Sequence, residues 1–313
     1  MASEYWDDFE RREKETIECI RTMTPIPVRR VAVFITERCN FKCTYCHVNQ
    51  TPISVPKLRF NEIINEYGGK SIIHITGGEP SCVPWLYDYI DGHWGYKFNL
   101  NTNAFLTPPK NVNRMKISFD TCDEELFNKL VGVDAFESVT YNIEEACKNS
   151  TVSLTCVLSK QTYNKTVELA QYCAKNFKGL YALFFSIYKG TNPNFLMTND
   201  DINIFYETIK PKLERELNTE SLELLNETLD KKIRLQRWLR FPENDLSQPC
   251  YISMSERVVA PTGEIFLCSH LYRDGIFESE PKKYPRCSYG CNTRLVKFNN
   301  DVHEGITNGR WCM

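Results

Sequence analysis

The sequence lacks the features of several large protein classes. It contains no run of about 18 apolar residues, the length that a membrane-spanning helix needs. Lys and Arg number 38 against 40 Asp and Glu, which gives a net charge of −2 and no basic excess for nucleic acid. The opening MASEYWDDFERREKE is charged and has no apolar signal-peptide core. These absences favour a cytoplasmic protein without a membrane or nucleic-acid partner.

Cysteine, in contrast, is abundant, with 14 residues in a chain of 313. In a secreted protein these would pair as disulfides, but no export signal is present, and a reducing compartment keeps thiols free. Free thiols that cluster at metal-ligand spacing indicate ligands rather than cross-links.

The apolar pattern predicts strands that alternate with helices. The predicted strands are 30–36, 71–76, 97–102, 114–119, 151–158 and 180–187, and helical patterns lie near 57–67, 83–91, 123–130, 139–149 and 164–177. Strands that are apolar on both faces and separated by helices indicate a parallel sheet covered by helices. Six such units are too few for a closed eight-stranded barrel, so the predicted fold class is α/β, a partial (β/α)6 parallel barrel or an open wound sheet.

Composition divides the rest of the chain into smaller parts. We expect an N-terminal helix within 1–29, the partial barrel over 30–190, a helical linker over 191–249, a small Cys-rich domain over 250–295 and a polar tail over 296–313. The Cys-rich segment is too short to hold a core without cross-links or a metal.

Three cysteines stand close together in ERCNFKCTYCHVN. Cys39, Cys43 and Cys46 follow the first predicted strand, and active sites of parallel α/β folds collect at the carboxyl ends of strands. Thiolates suit zinc or an iron–sulfur cluster. A structural zinc needs a fourth nearby ligand, and His47 adjoins Cys46 too closely to complete the tetrahedron comfortably. Three thiolates on a four-iron cluster leave one iron open.

The stretch CNFKCTYC resembles the signature of radical S-adenosylmethionine (SAM) enzymes, with Tyr45 as the aromatic residue before the last cysteine. After the second predicted strand, Gly77, Gly78, Glu79 and Pro80 resemble the GGEP motif of that family. The resemblance covers about residues 30–190. It implies a [4Fe-4S] cluster on the three cysteines, with SAM bound to the open iron and cleaved to a 5′-deoxyadenosyl radical that takes a hydrogen atom from substrate.

The resemblance also implies roles for residues at the ends of later strands. The two glycines would let the backbone approach the methionine amino group, and Glu79 would balance its charge. Asp120 would lie near the substrate, although the segment around it departs from the family pattern. The other residues expected at the cofactor are Thr102 and Asn103 (where Ala104 replaces a family Gly), Ser118, Val157 and Leu158.

A second set of cysteines follows in the C-terminal part. On spacing alone, Cys250, Cys268, Cys287 and Cys291 could hold a structural zinc. The stretch, with Gly263 five residues before Cys268, resembles more closely the short auxiliary iron–sulfur (SPASM or twitch) domain of many radical enzymes. That resemblance implies an auxiliary [4Fe-4S] cluster, or a cluster in which Cys312 or water replaces one ligand.

Of the remaining cysteines, three lie at or near the carboxyl ends of predicted strands. Cys82, Cys122 and Cys156 could each return a hydrogen atom to a substrate radical, although a buried free cysteine usually only packs.

Two classes of substrate remain as alternatives. The first is a ribosomal peptide or protein residue that is epimerised, oxidised or crosslinked. The second is a small metabolite such as a sugar or aminocyclitol, modified by the same machinery as a dehydrogenase or epimerase. A reductase or flavodoxin-type partner would supply the electron. A non-catalytic zinc or redox-sensing module is the alternative from another class.

Overall fold

The structure is a computed structural model, and it describes residues 2–46, 48–188, 190–216, 249–273, 284–285 and 293–307. The chain forms two compact units. The terminal unit comprises Met1–Phe34, Val55–Ile73 and Ile233–Met313, and the central unit comprises Ile35–Ser54 and His74–Lys232. Within the described residues, no helix is both long enough and apolar enough to span a membrane.

The helices and strands alternate through most of the chain. In chain order they are α1 (Ala2–Arg21), β1 (Arg30–Phe34), α2 (Lys57–Tyr67), β2 (Ile72–Thr76), α3 (Leu86–Gly92), β3 (Lys97–Thr102), β4 (Arg114–Ser118), α4 (Glu124–Val131), α5 (Phe136–Asn149), β5 (Thr151–Leu158), α6 (Thr166–Asn176), β6 (Ala182–Ile187), α7 (Asn199–Ile204), α8 (Lys210–Glu216), β7 (Pro249–Cys250), α9 (Ile252–Ser255), β8 (Glu256–Val259), β9 (Ile265–Phe266), α10 (Ser269–Arg273), β10 (Tyr284–Pro285) and α11 (Thr293–Thr307).

The central unit is built on parallel strands. β3, β4, β5 and β6 lie side by side in chain order, and every pair is parallel. Helices α3 to α6 connect or follow these strands, so the α/β class with a mostly parallel sheet is confirmed. The partial barrel remains compatible with this order. Residues 217–248 of the predicted helical linker lie outside the described residues.

One face of this sheet is covered and apolar. The side chains that alternate onto it are almost fully buried, and they include Leu100, Ile117, Leu154 and Leu183. Phe119, immediately after β4, packs against Phe127 of α4, Phe136 of α5 and Phe177 after α6, with ring centroids 5.5–5.9 Å apart. Helices α4 to α6 are therefore anchored on this face.

The opposite face of β3, β4 and β5 is polar, which corrects the expectation of strands that are apolar on both faces. We call it the open face and define it by Asn99, Asn101, Arg114, Lys116, Ser118, Thr151, Ser153 and Thr155. Lys116 and Ser118 are exposed. Helices cover parallel sheets on both faces in open wound folds, whereas a polar, accessible face is typical of a binding surface.

The terminal unit has a core of its own. Ile17 of α1 packs with Tyr251 and Ile252 and with Phe298 and Val302 of α11. β1 pairs in parallel with β8, which forms an antiparallel hairpin with β9. No local signal predicts the β1–β8 pairing, because its partners lie more than 200 residues apart along the chain.

A buried ion pair links α1 to β8. The guanidinium of Arg12 donates to Glu256 Oε1 at 3.1 Å, and Arg30 donates to Oε2 at 3.2 Å. Arg12 and Glu256 are each only 5% exposed. Both charges are therefore shielded from water, and each is stabilised by the other.

We expect Glu256→Gln to lower the free energy of unfolding by about 3–5 kcal/mol, because it leaves the Arg12 guanidinium buried beside a neutral group. Urea denaturation measures the change. Glu62→Gln is the matched control, since Glu62 pairs with Arg59 at the surface and should cost less than about 1 kcal/mol. Equal effects of the two substitutions would contradict a dependence on burial.

Candidate functional site

The three clustered cysteines share one irregular loop of the central unit. Cys39 and Cys43 are half-buried and Cys46 is exposed. The loop folds back on itself, because the N–H of Cys46 donates to the carbonyl of Cys43 at 3.0 Å. The N–H of Phe41 donates to Cys39 Sγ and the N–H of Val48 to Cys46 Sγ, both at 3.4 Å. Two of the three sulfurs thus already accept backbone hydrogen bonds.

The end of α4 fixes this loop. The N–H groups of Lys42 and Thr44 donate to the carbonyls of Val131 and Leu130, each at 2.9 Å. These carbonyls belong to the last turn of α4 and have no partner within the helix. Gly132 ends the helix in the left-handed conformation, with φ +74°, and a Cβ there would lie 3.0 Å from the carbonyl oxygen of Lys42.

The GGEP turn lies against the start of the cysteine loop. The N–H of Gly78 donates to the carbonyl of Thr36 and the N–H of Glu79 to that of Arg38, both at 2.7 Å. A Cβ on Gly77 would lie 2.4 Å from the Thr36 oxygen, and one on Gly78 would lie 2.2 Å from the Arg38 oxygen. Only glycine permits this approach, so the motif positions the chain that carries Cys39.

Glu79 is a buried acceptor that holds the ends of two strands together. Its carboxylate accepts from the hydroxyl of Thr102 and the N–H of Asn103 at 2.7 Å, from the N–H of Ser81 at 3.0 Å and from the hydroxyl of Tyr87 at 3.3 Å. Burial raises its pKa, and the two N–H donors oppose that shift. The protein itself therefore satisfies both carboxylate oxygens. Pro80 follows and is also buried.

Tyr45 and Asp120 connect the cysteine loop to the end of β4. The phenol of Tyr45 donates to Asp120 through a short hydrogen bond, and the N–H of Val157 donates to the other carboxylate oxygen at 2.8 Å. Burial raises the pKa of Asp120 to about 6 and that of Tyr45 well above its usual range. Asp120 therefore acts in this structure as an anchor for Tyr45.

Asn103 reaches the cysteine loop from the end of β3. Its side-chain amide donates to Asn40 Oδ1 at 2.7 Å and lies 4.0 Å from Cys39 Sγ. Ala104, which replaces the family Gly, has φ +55°, the left-handed conformation that glycine favours. The turn thus retains its conformation without its usual residue.

The other expected residues lie on different sides of the sheet. Ser118 is exposed on the open face, whereas Leu158 is buried on the covered face. Cys156 is also buried there, and its thiol lies 3.1 Å from the Asp120 carbonyl oxygen. Cys82 and Cys122 are half-buried. Half-buried Val157 alternates onto the open side and is better placed than Leu158 for a side-chain contact there.

The cysteine loop has the donors that an iron–sulfur cluster requires. Burial, helped by the nearby thiols and carboxylates, raises the pKa of Cys39 to about 11 and that of Cys43 to about 12. A cationic iron centre reverses this preference and binds the thiolates. In the described part of the chain, no three Cys, His, Asp or Glu side chains converge as ligands of one ion. The three thiols of the loop suit a cluster, in which each thiolate would bind a different iron.

The second cysteine set lies in the terminal unit and is only partly described. β7, which carries Cys250, pairs antiparallel with β10, and Tyr284 is the register partner of Cys250. Half-buried Cys268 precedes α10, and its Sγ accepts from the N–H of Leu271 at 3.5 Å. Gly263 has φ +91° at the hairpin between β8 and β9. Cys287, Cys291 and Cys312 lie outside the described residues, so the second cluster stays a prediction.

Comparison with known proteins identifies the central part of the chain. Its residues 33–173 match the model of the radical SAM superfamily. Residues 33–173 are a radical SAM domain. Such a domain implies a [4Fe-4S] cluster and SAM as cofactors, which agrees with the donor set in the cysteine loop.

The sequence relatives of this radical SAM domain include GTP 3′,8-cyclases. The GTP 3′,8-cyclase of Aliarcobacter butzleri is 32% identical over 164 residues, which cover 45% of this chain and 50% of the relative. A probable GTP 3′,8-cyclase of Methanococcus maripaludis is 28% identical over 167 residues, or 47% of this chain and 56% of the relative. The chain thus spans about half the length of the curated relatives it matches.

Two solved structures share the fold. Streptococcus suis SuiB, bound to its precursor peptide SuiA, has a TM-score of 0.59 at 17% identity, over 94% of this chain and 70% of SuiB. The structure of anSMEcpe with bound AdoMet has a TM-score of 0.56 at 18% identity, over 89% of this chain and 82% of that chain. At these identities the likeness concerns the fold alone.

Sequence reasoning missed two residues that organise the radical SAM domain. Half-buried Tyr87 donates its hydroxyl to the Glu79 network, and the side-chain oxygen of Asn40 accepts from the amide of Asn103. Asn40 stands inside the cysteine motif at a position where the pattern accepts many residues. Tyr87 belongs to a short amphipathic helix and carries no motif, so only the packing of α3 reveals its role.

Proposed function

We propose that this chain is a radical SAM enzyme that cleaves SAM reductively and abstracts a hydrogen atom from its substrate. The observation that carries the proposal is the close packing of the GGEP turn against the cysteine loop. Two backbone hydrogen bonds of 2.7 Å and two glycines that admit no side chain hold these segments together. Both motifs are thus presented at one edge of the sheet.

The chain's own residues divide this work. Cys39, Cys43 and Cys46 would hold the cluster, and the backbone of Gly77 and Gly78 would accept the methionine end of SAM. The cluster, when bound, supplies the electron that breaks a carbon–sulfur bond of SAM. Glu79, held by its four donors, keeps the turn in place.

Further residues would line the cofactor and substrate. Asn103 and exposed Ser118 lie at the ends of β3 and β4, next to the residues that hold the cysteine loop. The Tyr45–Asp120 hydrogen bond fixes the aromatic ring that precedes Cys46. We assign Asp120 a positioning role, and Cys82 and Cys122 remain the candidates for hydrogen-atom return because Cys156 is buried on the covered face.

Modification of a peptide or protein residue is the first proposed reaction, by epimerisation, oxidation or crosslinking. SuiB was solved with a precursor peptide, and its fold extends over nearly all of this chain. The second proposed reaction acts on a small metabolite. Two observations favour it: the sequence relatives are GTP 3′,8-cyclases, and the open face carries cationic side chains.

The proposal for the terminal unit is an auxiliary [4Fe-4S] cluster on Cys250, Cys268, Cys287 and Cys291. Pairing of Tyr284 with Cys250 supports it, because Cys287 follows three residues after Tyr284. Such a cluster would carry electrons or support the fold, with a reductase or flavodoxin-type donor as partner.

We expect anaerobically reconstituted protein to convert SAM to 5′-deoxyadenosine when dithionite is present. Liquid chromatography with mass detection measures the product, and protein without reductant is the control. In D2O with candidate substrates, one deuterium gained at carbon indicates epimerisation, and a loss of about two mass units indicates oxidation. A protein that binds zinc and no iron, and forms no 5′-deoxyadenosine, would instead be a zinc or redox-sensing module.

A further inference from the structure

Asn142 is a polar residue on the apolar side of α5. Its neighbours on that side of the helix, Val139, Ile143 and Ala146, are buried, and Asn142 itself is only 4% exposed. Asn is a poorer residue for a helix interior than Ala or Leu, and a buried amide costs free energy unless it is hydrogen-bonded. A residue that is unfavourable on both counts indicates a specific task at this position.

The side chain of Asn142 is satisfied by the segment that follows β3. We call this segment, residues 103–107, the β3 turn. The amide nitrogen donates to the carbonyl of Ala104 at 2.9 Å and to that of Phe105 at 3.2 Å. The amide oxygen accepts from the hydroxyl of Thr107 at 3.1 Å. Both sides of the amide are thus used by one turn, which lies 35 to 38 positions earlier in the chain.

The β3 turn contains a residue in an unfavourable conformation. Ala104 has φ +55°, a left-handed conformation that glycine adopts freely and that a Cβ disfavours. Such a residue persists only where its surroundings hold it in place. Asn142 binds the carbonyl of Ala104 and the next carbonyl along the chain, so it holds the two peptide groups that follow this φ angle.

The conformation of the β3 turn sets the direction of the Asn103 side chain. The N–H of Phe105 donates to Asn103 Oδ1 at 3.0 Å, and the Asn103 amide donates to Asn40 Oδ1 of the cysteine loop at 2.7 Å. The N–H of Asn103 donates to Glu79 at 2.7 Å. The rings of Phe105 and Phe41 lie 5.7 Å apart. A change in the turn would therefore reach both the cysteine loop and the GGEP turn.

We propose that Asn142 is a positioning residue for SAM. It keeps the β3 turn left-handed, and the turn keeps Asn103 directed at the cysteine loop, where the cofactor would bind. Asn142 acts through Asn103, because its own amide is already fully bonded to the turn. This inference rests on the proposed function and adds a residue of α5 that belongs to no motif.

The expected size of the effect follows from the population of the turn. If the competent turn falls to about one tenth of the molecules, the apparent affinity for SAM falls about tenfold. That shift corresponds to about 1.4 kcal/mol, no more than a buried carbonyl loses when its donor is removed. Glycine adopts positive φ without strain, so Ala104→Gly should restore the turn when Asn142 is absent.

Hydrogen exchange with mass detection, on the cluster-free full chain, tests whether Asn142 holds the turn. The N–H groups of Asn103, Ala104 and Phe105 each donate to a side chain, so their exchange reports opening of the turn. We expect Asn142→Leu to speed exchange at least about tenfold, and N142L/A104G to stay within about threefold of A104G. Thr140→Val is the matched control, because its hydroxyl donates only within α5, and it should change nothing.

SAM binding to the reconstituted full chain, measured without reductant, tests the effect on the cofactor. We expect N142L to raise the dissociation constant at least about tenfold and N142L/A104G to restore it to within about threefold of A104G. The kcat of SAM cleavage at saturating SAM should stay within about threefold, because bound SAM selects the competent turn. Asn142→Ser, which adds no volume, is the second variant if N142L does not fold.

The outcomes separate this inference from the proposed function. SAM affinity of folded N142L or N142S within about threefold of wild type overturns the inference, even if SAM is cleaved. Equal loss of affinity with and without A104G also overturns it, because a merely structural role would not be rescued at the turn. The predicted affinities without any 5′-deoxyadenosine formation would overturn the proposed function alone. Absence of SAM binding to the wild-type protein would overturn both.

Discussion

Joint replacement of Cys39, Cys43 and Cys46 by Ala is expected to remove about four iron atoms per chain and to abolish 5′-deoxyadenosine formation. The loop offers three thiols, two of which already accept backbone hydrogen bonds, and the triple substitution removes all three of the thiolates that would bind iron. Iron analysis after anaerobic reconstitution and the product assay measure the two effects.

The matched control is Cys147→Ala, since Cys147 is a half-buried thiol on α5, outside the cysteine loop. It should leave iron content and product formation unchanged. The triple variant also reports on the terminal unit, because about four remaining irons would indicate a second cluster and none would indicate its absence. Unchanged iron in the triple variant would contradict the assignment of the loop as a cluster site.

Gly78→Ala is expected to lower 5′-deoxyadenosine formation at least about tenfold and to destabilise the central unit by about 1–3 kcal/mol. Its new Cβ would lie 2.2 Å from the carbonyl oxygen of Arg38 and 2.9 Å from that of Glu37. Both contacts are to backbone, so the chain that leads into Cys39 must move. The two hydrogen bonds between the GGEP turn and the loop would then break.

Gly92→Ala provides the control, because a Cβ there meets nothing within 4 Å. It ends α3, where Ala favours the helix by up to about 1 kcal/mol over Gly. Thermal unfolding, iron content and the product assay on both variants make the comparison. Normal activity in G78A would mean that the close approach of the two segments is dispensable for SAM cleavage.

The sequence predicted the elements of the central unit closely. β3 and β5 have the predicted bounds, and in the terminal unit α2 agrees over 57–67. These segments have strong local signals: apolar alternation or helical periodicity bounded by Gly, Pro or Asn. The other four strands predicted with bounds begin or end one or two residues from the predicted position, because local signals are weakest at the ends of elements.

The candidate site could be predicted where its chemistry lies in contiguous motifs. The cysteine loop and the GGEP turn were each visible in the sequence, but their contact was not. Neither was the network in which Glu79 joins Tyr87 and Thr102, nor the Tyr45–Asp120 bond. These pairs join residues from 8 to 75 positions apart, and no spacing rule predicts them.

The sequence by itself determined the class of chemistry and the order of strands and helices, because the spacing of thiols and the period of apolar residues are local properties. The tertiary structure alone decided which side of the sheet each residue occupies. It placed Cys156 and Leu158 on the covered face and Lys116 on the open face. Strand alternation fixes which residues share a face, but only packing of helices against one face determines which side is left for a ligand.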